Sequence, residues 1–241
     1  MRYEDFRWAG KLASEMGVVV TEQVEYTRPE ERVEQITVPG RSGTLTVPGT
    51  DSWETVIYAP VCALRPDADR EAVAAWLQGR GEVLFGSMPD YGFDARLINQ
   101  IDFQTIFQAQ KSYKTFAPVF ACQPLRHLAV QEQEILCSNG MLLHNPGTVA
   151  ARPQIFVWCN EEFTLTIAGQ AFTVTGLTNI GGIIVDCDAQ DCINMIFSGL
   201  LNDHMDGDFP TIPPGDSYIS WTAPEGSQVT KVSLKPRWRW L

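Results

Sequence analysis

Hydrophobic residues alternate with polar ones along most of the chain, which predicts a protein built mainly of β-strands. Residues 18–27 and 32–40 form two such runs, and prolines punctuate this first part of the chain. Further on, residues 163–167 alternate between apolar residues and threonine, and an apolar pattern returns at residues 172–174. Because Gly169-Gln170 lies between these two runs, they predict a hairpin that turns there.

A second hairpin is predicted at residues 36–49, ITVPGRSGTLTVPG, where Thr-Val-Pro-Gly occurs on both sides of a glycine-containing corner. The corner consists of Gly40, Arg41, Ser42 and Gly43, residue types that favour turns. We expect Arg41 to be exposed there. We interpret the loop as one that holds an assembly together, and the alternative of an exposed arginine without a partner stays open.

One segment departs from the strand pattern. Residues 66–81, PDADREAVAAWLQGRG, predict a helix with Asp67 as its N-cap and Gly79 at its C-terminal end. Trp76 lies on the apolar stripe, and we expect it to anchor the helix to a sheet. Downstream, residues 115–124, TFAPVFACQP, predict one strand buried between two layers, which ends the first domain.

Short strands separated by Gly, Asp and Pro turns continue through the rest of the chain, which predicts a β-sandwich or jelly roll. The fold class is therefore mainly β with one helix. We expect an N-terminal β-sandwich-like domain over residues 1–128 and a C-terminal β-sandwich domain over residues 129–226. The tail, residues 227–241, is expected to add a last strand to the first domain.

Charge supports this division. The chain has a net charge of −11, of which residues 1–128 carry −4, residues 129–226 carry −11 and the last 15 residues carry +4. A basic tail would dock on the mildly acidic first domain. Because an acidic surface repels phosphate and anionic lipid, we do not expect tight binding to nucleic acid or membranes. Glu4 and Asp5 stand where a signal peptide has basic residues, so we expect folding in a cytoplasm.

Motifs for catalysis or cofactor binding are sparse. The sequence has no Walker motif, no dinucleotide fingerprint and no Gly-x-Ser-x-Gly. Its six cysteines form no CxxC pair. Cys187, Cys192 and His204 leave a metal site open, but reduced cysteines in a core fit the apolar context better. We therefore predict no cofactor, no metal and no catalytic residue.

Two groups of aspartates come closest to a catalytic pattern. Residues 186–192, DCDAQDC, and residues 203–208, DHMDGD, each contain three aspartates. We expect exposed turns, although a calcium site and a glycosidase pair remain alternatives. Trp158 and Trp221 would serve sugar binding if they were exposed, but both lie in strand patterns, where a core role is expected.

The order of several loose motifs resembles the distal tail protein (Dit) family of siphovirus-type phages, which also occurs in prophages. The motifs are Gly40-Arg41-x-Gly43 in the predicted corner, NPGTVAARP at residues 145–153, GDFPTIPPGDSYISW at residues 207–221 and KPRWRWL at residues 235–241. They span nearly the whole chain. Asp216 departs from the family, which more often has asparagine there, and the number of cysteines is also unusual.

The resemblance implies a non-enzymatic virion protein at the tail tip. Six copies would form a baseplate hub ring that lies between the tail-tube protein and a tail-associated, lysin-like hub protein. The first domain would close the ring through a belt hairpin, for which Gly40, Arg41, Ser42 and Gly43 are the candidate contacts. A galectin-like second domain would anchor host-binding parts such as a receptor-binding protein. Genomic DNA would only pass through the channel, and assembly would take place in the bacterial host cytoplasm.

Two other functions remain alternatives at this point. The second domain could be a carbohydrate-binding module or adhesin, in which exposed tryptophans stack on sugar rings. The aspartate groups could belong to a calcium-dependent or glycosidic enzyme. Both alternatives depend on side chains that must be accessible.

Overall fold

A computed structural model describes residues 1–108, 111–130, 132–178, 181–197 and 199–241. The chain is mainly β, as predicted, and separates into two compact units. Unit 1 consists of Met1–Ala129 together with Leu241, and unit 2 consists of Val130–Trp240. The division lies close to the predicted boundary after residue 128.

Unit 1 contains three antiparallel sheets and one α-helix among its described residues. The strands are β1 (Phe6–Trp8), β2 (Lys11–Leu12), β3 (Val18–Glu22), β4 (Glu31–Thr37), β5 (Thr44–Trp53), β6 (Val56–Tyr58), β7 (Val61–Leu64), β8 (Arg80–Phe85), β9 (Tyr91–Leu97), β10 (Gln104–Gln108), β11 (Lys111–Phe116), β12 (Phe120–Cys122) and β13 (His127–Leu128). The helix is α1 (Arg70–Trp76), and a 3-10 helix spans Ala13–Met16. The largest sheet has the strand order β2-β1-β8-β9-β12-β6, with β13 paired to β9. The second sheet has the order β10-β11-β7-β3, and the third consists of β4 and β5.

The core of unit 1 is rich in aromatic rings, which come mainly from the largest sheet. Phe120 lies at its centre, with its ring centroid 5.7 Å from that of Phe6, 5.1 Å from Trp8 and 5.9 Å from Phe85. All four side chains are fully buried. Residues of β3, β7, β11 and α1 join the same core, so two of the sheets and the helix share one apolar interior.

The helix confirms the predicted anchor and corrects the predicted cap. The indole N–H of Trp76 donates to the backbone oxygen of Trp8 at 3.1 Å, and its ring stacks on Phe6 at 5.6 Å. The N-cap is Asp69, which accepts bonds from the backbone N–H groups of residues 71 and 72, so the prediction of Asp67 was wrong. A turn in which the N–H of residue 68 donates to the oxygen of residue 65 delays the start of the helix.

The predicted single strand at residues 115–124 is also wrong. The chain leaves β11 at Phe116 and enters β12 at Phe120, and these strands belong to different sheets. Pro118 lies in the gap, where its missing N–H and fixed φ interrupt strand pairing. The Asn99 side chain holds this crossing, because it donates to the oxygen of Ala117 at 2.9 Å and accepts from the N–H of Val119 at 2.8 Å.

Among its described residues, unit 2 contains two antiparallel sheets of five strands each. The strands are β14 (Ile135–Cys137), β15 (Met141–Asn145), β16 (Gln154–Cys159), β17 (Phe163–Ile167), β18 (Gln170–Val174), β19 (Ile183–Asp186), β20 (Asp191–Asn194), β21 (Met205–Gly207), β22 (Gly215–Thr222) and β23 (Val229–Lys235), and a 3-10 helix spans Asn202–His204. One sheet runs β14-β23-β16-β19-β20 and the other runs β15-β22-β17-β18-β21. Burial alternates along β16 and β17, as in a β-sandwich.

The predicted hairpin over residues 163–174 is confirmed as β17 and β18. Its turn lies at Ala168-Gly169, one residue earlier than predicted, and both residues have positive φ, 51° and 79°. Two consecutive positive φ angles are the requirement of a type I′ turn, which matches the twist of the paired strands. Phe163 and Phe172 pack edge to face across the hairpin with centroids 6.1 Å apart.

The tail does not complete the first domain, so that prediction was wrong. Strand β23 pairs with both β14 and β16 inside unit 2, and it buries Val232 and Leu234 in the core of that unit. The tail cations are also used there, since Arg237 and Arg239 form ion pairs with Asp186 and Asp188. The basic tail therefore balances acidic residues of unit 2.

Candidate functional site

The predicted corner lies at the end of a long exposed hairpin, β4 and β5, which we call the arm (residues 31–53). Within the part of the chain that the structure describes, these strands pair only with each other, in a two-stranded sheet of their own. Every residue from 30 to 47 is exposed. The second Pro-Gly pair of the repeated motif, residues 48 and 49, has side chains outside the described part of the chain. The hairpin prediction is confirmed.

The two faces of the arm differ in polarity. Ile36 lies opposite Leu45 and Glu34 lies opposite Val47, and these four side chains share one face because directly paired residues point the same way. Ile36 and Leu45 are each 39% exposed and Val47 is 40% exposed. The other face carries the opposed polar pair Gln35 and Thr46, and also Val33, which is 39% exposed. One face of the arm is thus mainly apolar, with Glu34 as its one described carboxylate, and its described side chains are exposed.

The tip of the arm, residues 38–43, contains all four candidate residues. Gly40 and Gly43 have φ angles of 81° and 80°, a left-handed conformation that favours glycine. The backbone N–H of Arg41 donates to the oxygen of Val38 at 3.2 Å and closes the turn. Within the described residues, the Arg41 side chain has no hydrogen bond or ion pair. The tip therefore offers one cation for an external contact.

An ion pair lies at the base of the arm, where its two strands begin and end. Arg32 donates to both oxygens of Glu54 at 2.8 and 3.3 Å, and the N–H of Glu54 donates to the oxygen of Glu30 at 2.8 Å. Arg32 lowers the pKa of the Glu54 carboxyl through these bonds, while Glu54 raises the pKa of Arg32. The pair is exposed, so it contributes little to stability, and it joins the two ends of the arm to each other.

In the first aspartate group, residues 186–192, two of the three carboxylates form ion pairs with arginines. Arg237 donates to both oxygens of Asp186 at 2.7 and 2.8 Å, and Arg239 donates to Asp188 at 2.9 Å. The hydrogen bonds from Arg237 are the main reason that the pKa of Asp186 is lowered. A carboxylate with both oxygens bound to a guanidinium is a poor nucleophile and a poor calcium ligand.

The other candidate chemical groups are not brought together. Asp206 lies in β21, not in the turn that was expected, while Asp203 and Asp208 are exposed on either side. Cys187 and Cys192 are buried, and Nδ1 of His204 is 3.0 Å from the oxygen of Thr175. In the part of the chain that the structure describes, no group of three or more His, Cys, Asp or Glu side chains could hold a metal ion.

The tryptophans of the sugar-binding alternative are both partly exposed. The Nζ atom of Lys231 lies 4.1 Å from the ring centroid of Trp158, so a cation occupies the face on which a sugar would stack. Trp221 lies opposite Leu165, whose side chain points into the core of unit 2. The core role expected for Trp158 is wrong, because residues 155, 157 and 159 of its strand are the buried ones. Trp221 lies on the core face but stays partly exposed, so its expected core role is met only in part.

Sequence reasoning identified the tip but missed the apolar face of the arm. Ile36, Leu45 and Val47 come together only through the strand register, which depends on the length of the corner. The pattern of apolar residues at positions 36, 45 and 47 is visible in the sequence. Combined with a six-residue corner, it would have predicted that these side chains share one face.

No described helix is long and apolar enough to cross a lipid bilayer.

Comparison with known proteins shows the fold. No protein-family model matches the sequence, and no curated protein matches it either. The crystal structure of SPP1 Dit (gp 19.1) superposes with a TM-score of 0.68 and 15% sequence identity, over 98% of this chain and 99% of that chain. This protein has the fold of SPP1 Dit.

The SPP1 Dit protein is described as a paradigm of the hub adsorption apparatus in phages that infect Gram-positive bacteria. A second similar structure is the baseplate of phage p2 in its activated conformation with Sr. It has a TM-score of 0.47 and 8% identity, over 95% of this chain and 97% of that chain. The likeness to SPP1 Dit, at 98% of this chain, extends over both units.

Proposed function

We propose that this protein is a non-enzymatic structural component of a phage tail tip, a distal tail protein that forms a hexameric hub ring. The observation that carries the proposal is the likeness to SPP1 Dit over 98% of this chain and 99% of that chain. This likeness covers both units of the chain, in the same order along the sequence, and nearly the whole length of each protein. A likeness that covered one β-sandwich alone would carry less weight, because sandwiches serve many functions.

The arm supports assembly into a ring. An isolated two-stranded hairpin is only marginally stable in water, and this one exposes Ile36, Leu45 and Val47 on one face. Such a face gains stability when another surface covers it. If the arm of each copy lies on the next copy, the contact is head to tail, and it closes into a ring when the rotation allows. Gly40, Arg41, Ser42 and Gly43 would reach the neighbouring subunit first.

The other partners follow from a position at the tail tip. We propose that the ring joins the tail-tube protein to a lysin-like hub protein, and that a receptor-binding protein attaches at the periphery. DNA would pass through the ring without binding to it. The net charge of −11 favours this arrangement, since an acidic protein attracts no phosphate backbone. The protein would then reside in the virion after synthesis in the bacterial host cytoplasm.

Light scattering over a range of protein concentrations tests the ring. The chain has a mass of 26.9 kDa, so we expect a particle of about 161 kDa, six times that mass, with a central hole in electron micrographs. The double variant Ile36→Asp/Leu45→Asp should remain a folded monomer, because it places charge on the apolar face of the arm. Its matched control, Gln35→Asp/Thr46→Asp, changes the opposed pair on the polar face and should still assemble.

Two results would contradict the proposal. One is a wild-type protein that stays monomeric at all concentrations and also in the presence of its tail-tube protein. The other is a ring that forms equally well with the apolar-face variant, which would show that the arm is not the contact. Circular dichroism of each variant separates a lost contact from a lost fold.

A further inference from the structure

The chain enters β15 through an asparagine-glycine pair, Asn139-Gly140, in the turn that follows β14. Gly140 has a φ of 79°, a left-handed conformation that favours glycine. Strand β15 pairs with β22, and the first pair along β15 is Met141 opposite Ile219. If the same register continued by two residues, residue 139 would lie opposite Trp221.

The side-chain amide of Asn139 makes the contacts that a paired backbone would make at this position. Its Nδ2–H donates to the backbone oxygen of Trp221 at 2.8 Å, and its Oδ1 accepts from the backbone N–H of Trp221 at 2.9 Å. A hydrogen-bonded pair of an antiparallel sheet exchanges the same two kinds of bond between backbone groups. The asparagine side chain thus extends the pairing of β15 and β22 by one step, at a residue that is exposed to water.

Asn139 is also the only asparagine in the sequence that is followed by glycine. In such a pair the backbone nitrogen of the glycine can attack the side-chain carbon Cγ of the asparagine, because no glycine side chain hinders the approach. The new C–N bond closes a succinimide ring, and the side-chain nitrogen leaves as ammonia with the proton that the glycine nitrogen loses. Water then opens the ring and leaves aspartate or isoaspartate. The local sequence therefore makes residue 139 chemically labile.

The folded structure engages both reacting groups in other contacts. The N–H of Gly140, which must lose its proton in the reaction, donates to the backbone oxygen of Ile219 at 3.0 Å. The two bonds to Trp221 hold the amide of Asn139 on β22. The end of a paired strand opens more readily than the whole unit unfolds, but only the fraction of chains that is open at a given time can react.

We propose that Asn139 is a deamidation site that the fold protects, and that it reacts only when the β15–β22 pair opens at this end. The product does not restore the native contacts. Aspartate has no N–H to donate to the backbone oxygen of Trp221, and isoaspartate also adds a carbon to the main chain inside the turn. A chain that reacts while it is unfolded therefore refolds to a less stable unit 2.

The proposal does not depend on the proposed ring, because all of these residues belong to unit 2. It also differs from a purely structural role for Asn139, since it predicts a covalent change at one residue. The rate of that change reports how often this end of the strand pair opens, whether or not the protein assembles.

Peptide mapping by mass spectrometry tests the protection in the full chain. Samples are incubated at pH 8, one unfolded in guanidinium chloride and one folded in sodium chloride at the same ionic strength. We expect residue 139 to react at least tenfold more slowly in the folded protein than in the unfolded chain. In the unfolded chain it should react before every other asparagine. Equal rates in the two states, or another asparagine that reacts first in the unfolded chain, would overturn the proposal.

Two variants test the effect of the product on stability. Asn139→Asp removes the bond that Nδ2 donates, and we expect it to lower the urea midpoint of unfolding. Asn160→Asp is the matched control, because the Oδ1 of Asn160 accepts from the N–H of Gln228 at 2.6 Å, while its Nδ2 lies 3.4 Å from the oxygen of Gly226. The control adds the same charge to unit 2 but loses only a long bond, so its midpoint should stay close to that of the wild type. If Asn139→Asp were as stable as this control, the proposed effect of deamidation on unit 2 would be wrong.

Discussion

At the scale of single residues, the cysteines are core residues and not reactive groups. All six are buried and free. Burial raises the pKa of Cys62, Cys122 and Cys187 to about 12, and that of Cys137, Cys159 and Cys192 to about 11. Because the thiolate is the reactive form, these thiols are unreactive for two reasons: they are inaccessible, and they stay protonated at neutral pH.

We therefore predict that Ellman's reagent at pH 8 modifies fewer than one thiol per native chain within minutes, and all six after denaturation. The variant Ser42→Cys provides the positive control, since it places a thiol at the exposed tip of the arm and should react at once. Rapid reaction of a native cysteine would mean that its surroundings open on that time scale, which would contradict the packing described above.

Asn145 and Gly147 show what residue patterns can and cannot predict. The sequence marked both residues as part of NPGTVAARP but gave them no structural role. Asn145 donates to the oxygens of Val149 and Ile212 at 3.1 and 2.8 Å, and it accepts from the N–H of Gly147 at 2.8 Å. A Cβ on Gly147 would lie 2.3 Å from the oxygen of Arg239. Ile212 and Arg239 are distant in sequence from these residues, so no local pattern could identify those two contacts.

At the scale of elements, the hairpins were predictable because their information is local. The arm and the hairpin over residues 163–174 each combine alternating side chains with a glycine turn, and both were found. The crossing at Pro118 was missed, since the sequence of an apolar run does not say which sheet each half joins. The cap at Asp69 was missed because Asp67 fits the same pattern, and only the turn before the helix distinguishes them.

The pair of Arg237 and Asp186 joins the tail to β19, and we predict that Arg237→Ala lowers the free energy of unfolding of unit 2. The expected loss at pH 7 is about 1–3 kcal/mol, because a partly buried carboxylate loses two charged hydrogen bonds. Urea denaturation measures it. Arg152→Ala is the control, with an expected change of about 0–1 kcal/mol, since Arg152 is exposed and lies 3.8 Å from Asp188.

The same pair predicts a dependence on pH. The pKa of Asp186 is lower in the folded chain than in the unfolded chain, chiefly through Arg237. The stabilisation is therefore complete above the unfolded value of about 4, and it is lost as the pH falls through the lowered folded value. The wild type and Arg237→Ala should thus converge in stability under acid conditions. A difference that stays constant down to low pH would mean that the arginine acts through packing alone.

At the scale of the whole molecule, the sequence pattern predicted the class of fold but not which charged residues pair with each other. The corner residues 40–43 were predicted locally, and their role in a ring stays a prediction. The charge of each segment suggested that the basic tail balances the first domain. The net charges of two segments can cancel without any contact between them, so they do not identify ion-pair partners. The tail arginines pair with Asp186 and Asp188 of unit 2 instead.

The position of β23 leads to a prediction about the whole of unit 2. This strand lies inside its sheet, between β14 and β16, and it contributes Val232 and Leu234 to the core. Residues 130–241 expressed alone should therefore fold and unfold cooperatively, because the unit has its own core. Residues 130–226 should not fold, since removing a central strand leaves two rows of backbone groups unpaired and opens the core.

Thermal unfolding followed by near-ultraviolet circular dichroism distinguishes the two fragments, because packed aromatic rings give a signal only in a fixed environment. A matched extension of residues 130–226 with 15 residues of glycine and serine controls for length. If the shorter fragment showed the same cooperative transition as residues 130–241, the tail would be dispensable to unit 2. The assignment of the tail to the second unit would then be wrong, and the charge balance between the tail and the first unit would again have to be considered.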